Sequence, residues 1–399
     1  MTTVDPCKGP VRIAFLVQHP QGWTSLESVW RAMAEDPAFA PVIIAAPYRH
    51  PYPSEGGPDA IFGFLTKQGV PFVRWEQFAL KPGFADVVFV QNPYDITRPA
   101  PLRTRELLRL VPRLAYVPYG LEIGGGDTNA TNQFNLPLQQ AAWAIFARSP
   151  RHRAMFAKHC AAGDQHVTVT GHPRLDLLQA IEKLPACAAL SRFARGRKIV
   201  FWNPQFDIRA DGTGYSTFLL WQDFLLQEFT RRQDLALVIR PHPLFFGALE
   251  SRRIWSREQV NAFMHRVVHS GNIVIDRDAS YLPVFGVSAA MLSDASSFLL
   301  EYAATGKPFL YLHNPKGPSL NSDGEFIRAH AYSAETADAI KAFLDQVACG
   351  QDPRATERNA AYPEVMHRPA GGVAAAIKDQ LLARLAAEAS TATPATTTV

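Results

Sequence analysis

A histidine held between two prolines has the clearest chemical character in this sequence. Arg240-Pro241-His242-Pro243 directly follows an apolar run at 236–239 that is typical of a buried strand. Two prolines fix the backbone, so the imidazole of His242 has little freedom left to lose when it binds a ligand. Arginine offers a planar fork of donors and histidine can donate a hydrogen bond or a proton, which suits a phosphate or diphosphate. The alternative interpretation is a structural histidine at a rigid turn.

A second polar segment, Ser293-Asp294-Ala295-Ser296-Ser297, follows the apolar run 290–292 and opens a predicted helix over 297–305. Serine hydroxyls and backbone N–H groups at the start of a helix can bind an anion, and the helix dipole adds to the attraction. The segment therefore indicates an anion site. Capping of the helix by Asp294 or Ser296 would give the same pattern.

Glu301 lies one turn into that predicted helix, on the face next to Ser297. A carboxylate one turn away from an anion site is well placed to hold the ribose hydroxyls of a nucleotide. The alternative is a solvated helix residue with no ligand.

Apolar runs alternate with helix-like segments along the whole chain. Near-continuous apolar strands separated by helices are typical of a parallel sheet that is covered on both faces. The predicted strands are 11–17, 41–46, 86–91, 114–118, 167–170, 199–202, 236–239, 273–275, 290–292 and 309–312. The predicted helices are about 25–35, 58–69, 101–110, 216–232, 256–270, 297–305 and 372–387.

The sequence therefore predicts an α/β protein with two Rossmann-like, doubly wound domains that face each other across a cleft. Ligands of such folds bind at the carboxyl ends of the strands, which is where both polar motifs lie. The predicted organisation is an amino-terminal domain 1–182, a linker 183–198, a carboxyl-terminal domain 199–362, a helical segment 363–389 expected to pack back on the first domain, and a disordered tail 390–399.

The order and spacing of the motifs resemble the CDP-glycerol glycerophosphotransferase family, the teichoic-acid and capsule polymerases. That family has a K/R-P-H-P turn and then a D-Y-S-S-x-x-x-D/E-Y-x-x-x-x-K-P segment, to which Arg240–Pro243 and Ser293–Pro308 are similar. Gly171–Asp176 resembles the family's G-x-P-R-x-D element, and Ile199–Phe206 stands where the family has an apolar strand running into a Pro-Thr turn. The resemblance covers residues 165–315 well and implies a GT-B-like fold.

The resemblance implies a transferase that moves glycerol phosphate, or a related polyol phosphate, from a CDP-linked donor to a glycan acceptor in cell-surface polysaccharide synthesis. The acceptor hydroxyl would attack the β-phosphorus, and positioning and charge stabilisation would dominate catalysis. His242 would contact the diphosphate and assist departure of CMP. Serine hydroxyls would bind phosphate oxygens and Glu301 would hold the ribose. The donor-side residues that match by position are Asn203, Gln205, Arg240, His242, Asp294, Ser296, Ser297 and Glu301.

The sequence departs from the family on the acceptor side. The family has a W-H-G element whose histidine is taken as the base, whereas this chain reads Val117-Pro118-Tyr119-Gly120. A tyrosine, with a pKa near ~10, is a poor base at neutral pH. We therefore rank His19, at the end of the first strand, ahead of Asp95 and then Tyr119 as the catalytic base. His19 as a simple turn residue is the alternative.

Two other functions remain open on this sequence. One is a GT-B glycosyltransferase that uses a nucleotide-activated sugar, which the exchange of histidine for Tyr119 favours. The other is a non-catalytic nucleotide-binding assembly protein that has lost its base. No cofactor and no metal site are predicted. The expected partners are a nucleotide-activated donor and a glycan or lipid-linked glycan acceptor.

The composition excludes several classes of protein. The chain has 399 residues, 47% of them hydrophobic and 19% charged, which is enough apolar material for two or three domains. A formal net charge of +4 is too small for a nucleic-acid binder. No apolar stretch approaches the ~18 residues of a membrane span, and the amino terminus does not resemble a signal peptide. We expect a cytoplasmic protein, peripheral to the inner face of the plasma membrane if the basic stretches 151–159 and 192–198 contact anionic lipid rather than solvent.

Overall fold

Two parallel sheets form the framework of the chain. The computed structural model describes residues 9–49, 56–179, 181, 187–278 and 280–392. The first sheet has seven strands in the order β3-β2-β1-β4-β5-β6-β7. Its strands are β1 Val11–Val17, β2 Phe39–Ala45, β3 Val73–Arg74, β4 Val87–Val90, β5 Leu114–Tyr116, β6 Ala144–Ala147 and β7 Val167–Val169.

The second sheet repeats the same winding. Its six strands lie in the order β10-β9-β8-β11-β12-β13, so the first strand of each domain is central and the second and fourth strands flank it. This is the strand order of dinucleotide-binding folds. The strands are β8 Lys198–Asn203, β9 Leu235–Ile239, β10 Ile273–Ile275, β11 Ser288–Ser293, β12 Phe309–Leu312 and β13 Tyr332–Ala334. The predicted α/β fold with two doubly wound sheets is confirmed.

Helices connect consecutive strands in both domains. Those of the amino-terminal domain are α1 Pro20–Trp23, α2 Glu27–Ala34, α3 Ala60–Lys67, α4 Thr104–Leu110, α5 Asp127–Phe134, α6 Pro137–Ala141, α7 Pro150–His159 and α8 Arg174–Gln179. The others are α9 Ala188–Ala194, α10 Phe218–Arg231, α11 Phe245–Ser251, α12 Arg257–His269, α13 Leu282–Val287, α14 Phe298–Ala303, α15 Ser322–His330, α16 Ala337–Cys349, α17 Ala355–Ala361 and α18 Val373–Ala392.

Strands β3, β6 and β13 were not among the predicted elements, and neither were helices α1, α5 to α9, α11, α13 and α15 to α17. β3 has two residues and β13 has three, which is too short for a periodicity signal. β6, in contrast, is a fully buried run of four apolar residues that the sequence shows plainly. The predicted helix 25–35 corresponds to α2, and the short helix α1 precedes it.

Both faces of each sheet are buried because alternate residues of the central strands enter different apolar clusters. Ile13 and Phe15 of β1 lie in one cluster, whereas Ala14 lies in another on the opposite face. In β8, Phe201 shares the first cluster with β1, while Trp202 belongs to a separate cluster of the second domain. One apolar core therefore continues from the first domain into the second and holds the two sheets together.

The carboxyl-terminal helix α18 lies on the amino-terminal domain. The carboxylate of Asp176 accepts hydrogen bonds of 2.9 Å from the backbone N–H groups of Val373 and Ala374, at the start of that helix. Lys378 then donates to the carbonyl of Ala32 at the end of α2. The last residue of the Gly171–Asp176 motif thus acts as a helix cap.

The predicted linker and tail fall partly outside the described residues. In the linker 183–198, residues 183–186 are not described, and α9 and the first residue of β8 occupy most of the remainder. Residues 390–392, predicted to begin a disordered tail, still belong to α18, and the rest of that tail lies outside the described chain.

Candidate functional site

Two adjoining cavities lie between the carboxyl ends of the two sheets. The first, here called the aromatic cavity, has a volume of 370 Å³ and is lined by the rings of His19, Tyr48, Tyr94, Tyr119, Phe206 and His242. The second, the charged cavity, has a volume of 470 Å³, and its charged lining residues are Lys67, Arg174, Arg240, Asp276, Arg277, Asp278 and Glu301. His242 and Tyr119 line both cavities, so the two spaces meet at these side chains.

His242 is fixed in one tautomer by its own turn. It follows β9, and its backbone N–H donates to the carbonyl of Pro204 at 3.0 Å. The N–H of Leu244 donates to Nδ1 of the imidazole at 3.1 Å. Because Nδ1 accepts, the neutral ring carries its proton on Nε2. The ring also packs on Phe206, with centroids 4.4 Å apart, and is thereby held as a hydrogen-bond donor at the junction of the cavities.

His19 has the same arrangement on the opposite domain. It follows β1, at the point where the strand order of the first sheet reverses. Its backbone N–H donates to Oε1 of Gln91 at 3.0 Å, and the N–H of Gly22 donates to its Nδ1 at 3.1 Å. A Cβ on Gly22 would lie 2.7 Å from the imidazole Cε1, so only glycine permits this approach.

The tautomer of His19 bears on its predicted role as a base. With Nδ1 accepting from Gly22, the neutral ring holds its proton on Nε2 and has no vacant lone pair there. Proton transfer to Nε2 would require the other tautomer and the loss of the Gly22 hydrogen bond. The geometry therefore favours His19 as a donor of a hydrogen bond.

Tyr119 is surrounded by other tyrosines and lies partly beneath the cavity surface. Burial raises the pKa of Tyr48 to about 12 and that of Tyr94 and Tyr119 above the usual range. The rings of His19 and Tyr119 meet edge to face at 5.6 Å. A phenol with a raised pKa cannot serve as a base at neutral pH, so these three side chains present neutral hydroxyl groups.

Asp95 lies away from both cavities and is committed to local structure. Its Oδ1 accepts from the backbone N–H of Thr104 at 2.9 Å, from the Thr104 hydroxyl at 2.8 Å and from the guanidinium of Arg98. It lines neither the aromatic nor the charged cavity. The structure therefore argues against Asp95 as the base, because its carboxylate instead caps α4.

Arg240 lines the charged cavity, but an acidic neighbour already pairs with its guanidinium. Nη1 lies 2.7 Å from Oδ2 of Asp276, and Nη2 donates to the carbonyl of Asp278 at 2.6 Å. Asn203, at the end of β8, donates to the carbonyl of Arg240 at 2.9 Å. Arg240 thus fixes the loop after β10, and Asn203 fixes the turn that carries His242.

Glu301 is fully buried and forms an ion pair with Arg174 of the Gly171–Asp176 motif. The guanidinium of Arg174 also donates to the carbonyl of Tyr119 at 2.6 Å and to the hydroxyl of Thr24 at 3.1 Å. Burial raises the pKa of Glu301, and the charge of Arg174 opposes that rise. With 0% of its surface exposed, Glu301 joins the two domains at the floor of the charged cavity and is not open to a ribose in this conformation.

Asp294 and Gln205 are also parts of the scaffold. The buried carboxylate of Asp294 accepts from the backbone N–H of Gln205 at 2.9 Å, from that of Thr217 at 3.1 Å and from the hydroxyls of Ser216 and Thr217. Burial raises its pKa to about 6. Neither Asp294 nor Gln205 lines the two cavities, so their predicted contact with the donor is not supported by their position.

Ser296 and Ser297 do line the charged cavity, at the start of α14. The hydroxyl of Ser296 accepts from the N–H of Phe298 at 3.3 Å, whereas the N-cap residue Ser297 makes no side-chain capping hydrogen bond. α14 has only six residues, so its dipole is shorter than the predicted helix 297–305 would have provided.

Sequence reasoning missed several charged residues of the site. Lys67 and Arg277 are exposed cations that line the charged cavity, and no motif marks them. Asp276 and Asp278 form an Asp-x-Asp spacing, and the expectation that the sequence contains no such spacing was wrong. Within the described part of the chain, no group of three or more His, Cys, Asp or Glu side chains could hold a metal ion.

Glu122 is a further missed residue, six positions beyond β5. Burial raises its pKa to about 7, although Arg148 lies 3.9 Å away and opposes the rise. A Cβ on Gly120 would lie 2.9 Å from Glu122 Oε1, so glycine lets this carboxylate lie directly behind the wall of the charged cavity.

Comparison with protein-family models gives one match. The model of the CDP-glycerol:poly(glycerophosphate) glycerophosphotransferase family matches residues 120–317, about half of the chain. The span includes the Gly171–Asp176 motif, His242, Ser296 and Glu301. No curated protein matches the chain. The family resemblance predicted from the motifs is confirmed.

Solved structures share the fold at low sequence identity. The Staphylococcus aureus MnaA–UDP structure has a TM-score of 0.64 at 13% identity and covers 94% of this chain and 97% of its own. UDP-GlcNAc 2-epimerase from Neisseria meningitidis, bound to UDP-GlcNAc, has a TM-score of 0.62 at 14% identity and covers 94% and 100%. The wall teichoic acid polymerase TagF has a TM-score of 0.59 at 11% identity and covers 95% and 89%. These likenesses show the two-domain fold.

Proposed function

We propose that this chain, which over residues 120–317 belongs to the CDP-glycerol:poly(glycerophosphate) glycerophosphotransferase family, transfers glycerol phosphate or a related polyol phosphate from a CDP-linked donor to a glycan acceptor in cell-surface polysaccharide synthesis. The observation that carries the proposal is the junction of the two cavities. A charged space suited to a nucleotide diphosphate and an aromatic space suited to an acceptor meet at the side chain of His242.

The donor would occupy the charged cavity. Its diphosphate would lie near His242, Ser296 and Ser297, with Lys67 and Arg277 supplying positive charge at the open side. Hydrogen bonds to a charged phosphate are stronger than neutral ones, and imidazole N–H groups and hydroxyls can provide them. The buried pair of Arg174 and Glu301 would shape the floor of this cavity without contacting the ribose.

The acceptor would approach from the aromatic cavity. Its hydroxyl oxygen attacks the β-phosphorus and its proton passes to a phosphoryl oxygen and from there to solvent, while the bond from that phosphorus to the bridging oxygen breaks and CMP leaves. His242 donates its Nε2 proton in a hydrogen bond towards the diphosphate, and His19 donates from the opposite domain towards the transferred phosphoryl group. Because phosphoryl transfer depends chiefly on positioning and charge stabilisation, two fixed donors on facing domains suit the reaction.

Replacement of His242 tests the proposal. We expect His242→Ala to reduce transfer from CDP-glycerol by about 10²–10³-fold, the usual effect of removing one group that stabilises developing charge. His269→Ala, an exposed histidine of α12, is the matched control and should retain activity. Turnover is measured with CDP-glycerol, CDP-ribitol and a panel of nucleotide sugars.

The donor panel also separates the alternatives. Turnover of a nucleotide sugar but of no CDP-polyol would identify a glycosyltransferase, the function that the departure at Tyr119 favours. Nucleotide binding without any turnover would identify a non-catalytic protein. A His242→Ala variant that folds and keeps wild-type turnover would contradict the assignment of the donor site.

Contact with a membrane surface stays a prediction, as does the cytoplasmic location. Residues of the two basic stretches already have partners within the protein: Arg151 and Arg153 pair with Asp323 and Asp164, and Lys198 donates to backbone carbonyls. In the described part of the chain no helix is long and apolar enough to cross a membrane.

A further inference from the structure

We propose that the acceptor presents an uncharged glycosyl residue to the aromatic cavity, and that the protein discriminates against acceptors ending in a polyol phosphate. The inference rests on the proposed function and specifies the acceptor class of that site. It differs from the family name, which describes transfer to poly(glycerophosphate), a chain with a phosphate in every unit.

The inference follows from the types of side chain that line the aromatic cavity. Among the described residues that line it there is no Lys, Arg, Asp or Glu. Arg49, next to Tyr48 in the chain, is exposed and does not line the cavity. The sequence of residues 50–55, HPYPSE, contains no lysine or arginine. The cavity is instead bounded by aromatic rings, by Pro20, Ile96 and Leu244, and by the amides of Gln18 and Gln21.

The charged groups nearest to this cavity do not favour an anion. Arg98 is buried and donates to Asp95 and to the carbonyl of Asn92. Glu122, whose carboxylate lies against Gly120, is acidic and offers no positive charge to an anion. Lys67 and Arg277 line the charged cavity, where the donor diphosphate would engage them.

An acceptor that ends in glycerol phosphate would have to place its own phosphate in this space. Only one glycerol unit separates its attacking hydroxyl from that phosphate, so the charge enters the cavity together with the hydroxyl. A charge taken out of water without a cationic partner is costly. A sugar residue carries no charge, its C–H face packs on aromatic rings, and its hydroxyls can pair with neutral tyrosine hydroxyls and glutamine amides.

Two matched acceptors test the inference. One is an alkyl glycoside with a free terminal hexose, and the other is the same glycoside capped on that hexose with glycerol phosphate. With CDP-glycerol as donor, we expect kcat/KM for the free hexose to exceed that for the capped acceptor by about 10²-fold. Similar values, or a preference for the capped acceptor, would overturn the inference and leave the proposed transfer intact.

A second test introduces a charge at the rim of the aromatic cavity. Ile96 lines the aromatic cavity and is 72% exposed, so a longer polar side chain there need not disturb the core. Ile96→Arg should improve use of the capped acceptor and thereby lower the ratio of kcat/KM for the free hexose to kcat/KM for the capped acceptor about tenfold. Ile96→Gln, a polar substitution without charge, should keep the wild-type ratio. An unchanged ratio in Ile96→Arg would count against the charge argument. Turnover with neither acceptor would overturn the proposed function, and the inference with it.

Discussion

Glu301→Gln distinguishes a buried contact between domains from a contact with the nucleotide. Glu301 and its partner Arg174 have side chains 0% and 6% exposed, and they join segments 127 residues apart. Removing one partner of such a pair leaves an uncompensated buried charge and typically costs about 3–5 kcal/mol. Arg174 keeps its hydrogen bonds to Tyr119 and Thr24, so we expect the lower end, about 3 kcal/mol.

Urea unfolding followed by circular dichroism measures this loss, with an expected fall of roughly 1 M in the midpoint. The matched control is Glu106→Gln, which breaks an exposed pair with Arg109 on α4 and should change stability by under about 1 kcal/mol. The double variant Arg174→Met/Glu301→Gln buries no unpaired charge and should be more stable than Glu301→Gln alone.

The sequence motif predicted a different result for the same variant. If Glu301 holds the ribose, Glu301→Gln raises KM for the CDP-linked donor and leaves the free energy of unfolding unchanged. Wild-type stability together with a raised KM would therefore refute the buried-pair reasoning. It would also show that the charged cavity opens in solution to admit the ribose.

Two further predictions concern His19 and Glu122. If His19 acts as an Nε2 donor, His19→Gln should keep far more transfer activity than His19→Ala, because the glutamine amide can also donate a hydrogen bond. Nucleotide affinity should be unchanged in both variants. If both variants are equally inactive, His19 is the catalytic base after all. Because burial raises the folded-state pKa of Glu122 from 4.5 to about 7, the contribution of this group to stability should be full below pH 4.5 and be lost as the pH rises from 4.5 to about 7, by up to roughly 3 kcal/mol. Glu122→Gln should therefore stabilise the protein at pH 8 relative to the wild type and give no comparable gain at pH 4.5; equal effects at both would contradict the assignment.

The sequence determined the fold and the place of the site. Near-continuous apolar runs separated by helices require parallel sheets with both faces covered, and ten of the thirteen strands in the described residues follow from that pattern. Since ligands bind at the carboxyl ends of such strands, the turn with His242 and the end of β1 with His19 were expected to face the cleft, and both line it. The family resemblance rested on the order and spacing of short motifs, which the chain alone supplies.

Only the tertiary structure decided which polar residues are open to a ligand. Asp294 and Glu301 follow the same strand, yet their carboxylates are buried against Thr217 and Arg174, which lie 77 and 127 residues away along the chain. A local pattern records that a carboxylate is present at a strand end, but its partner comes from a distant segment that only folding brings near. The same reason explains why Lys67 and Arg277 escaped notice: no motif surrounds them, and the meeting of two domains places them in one cavity.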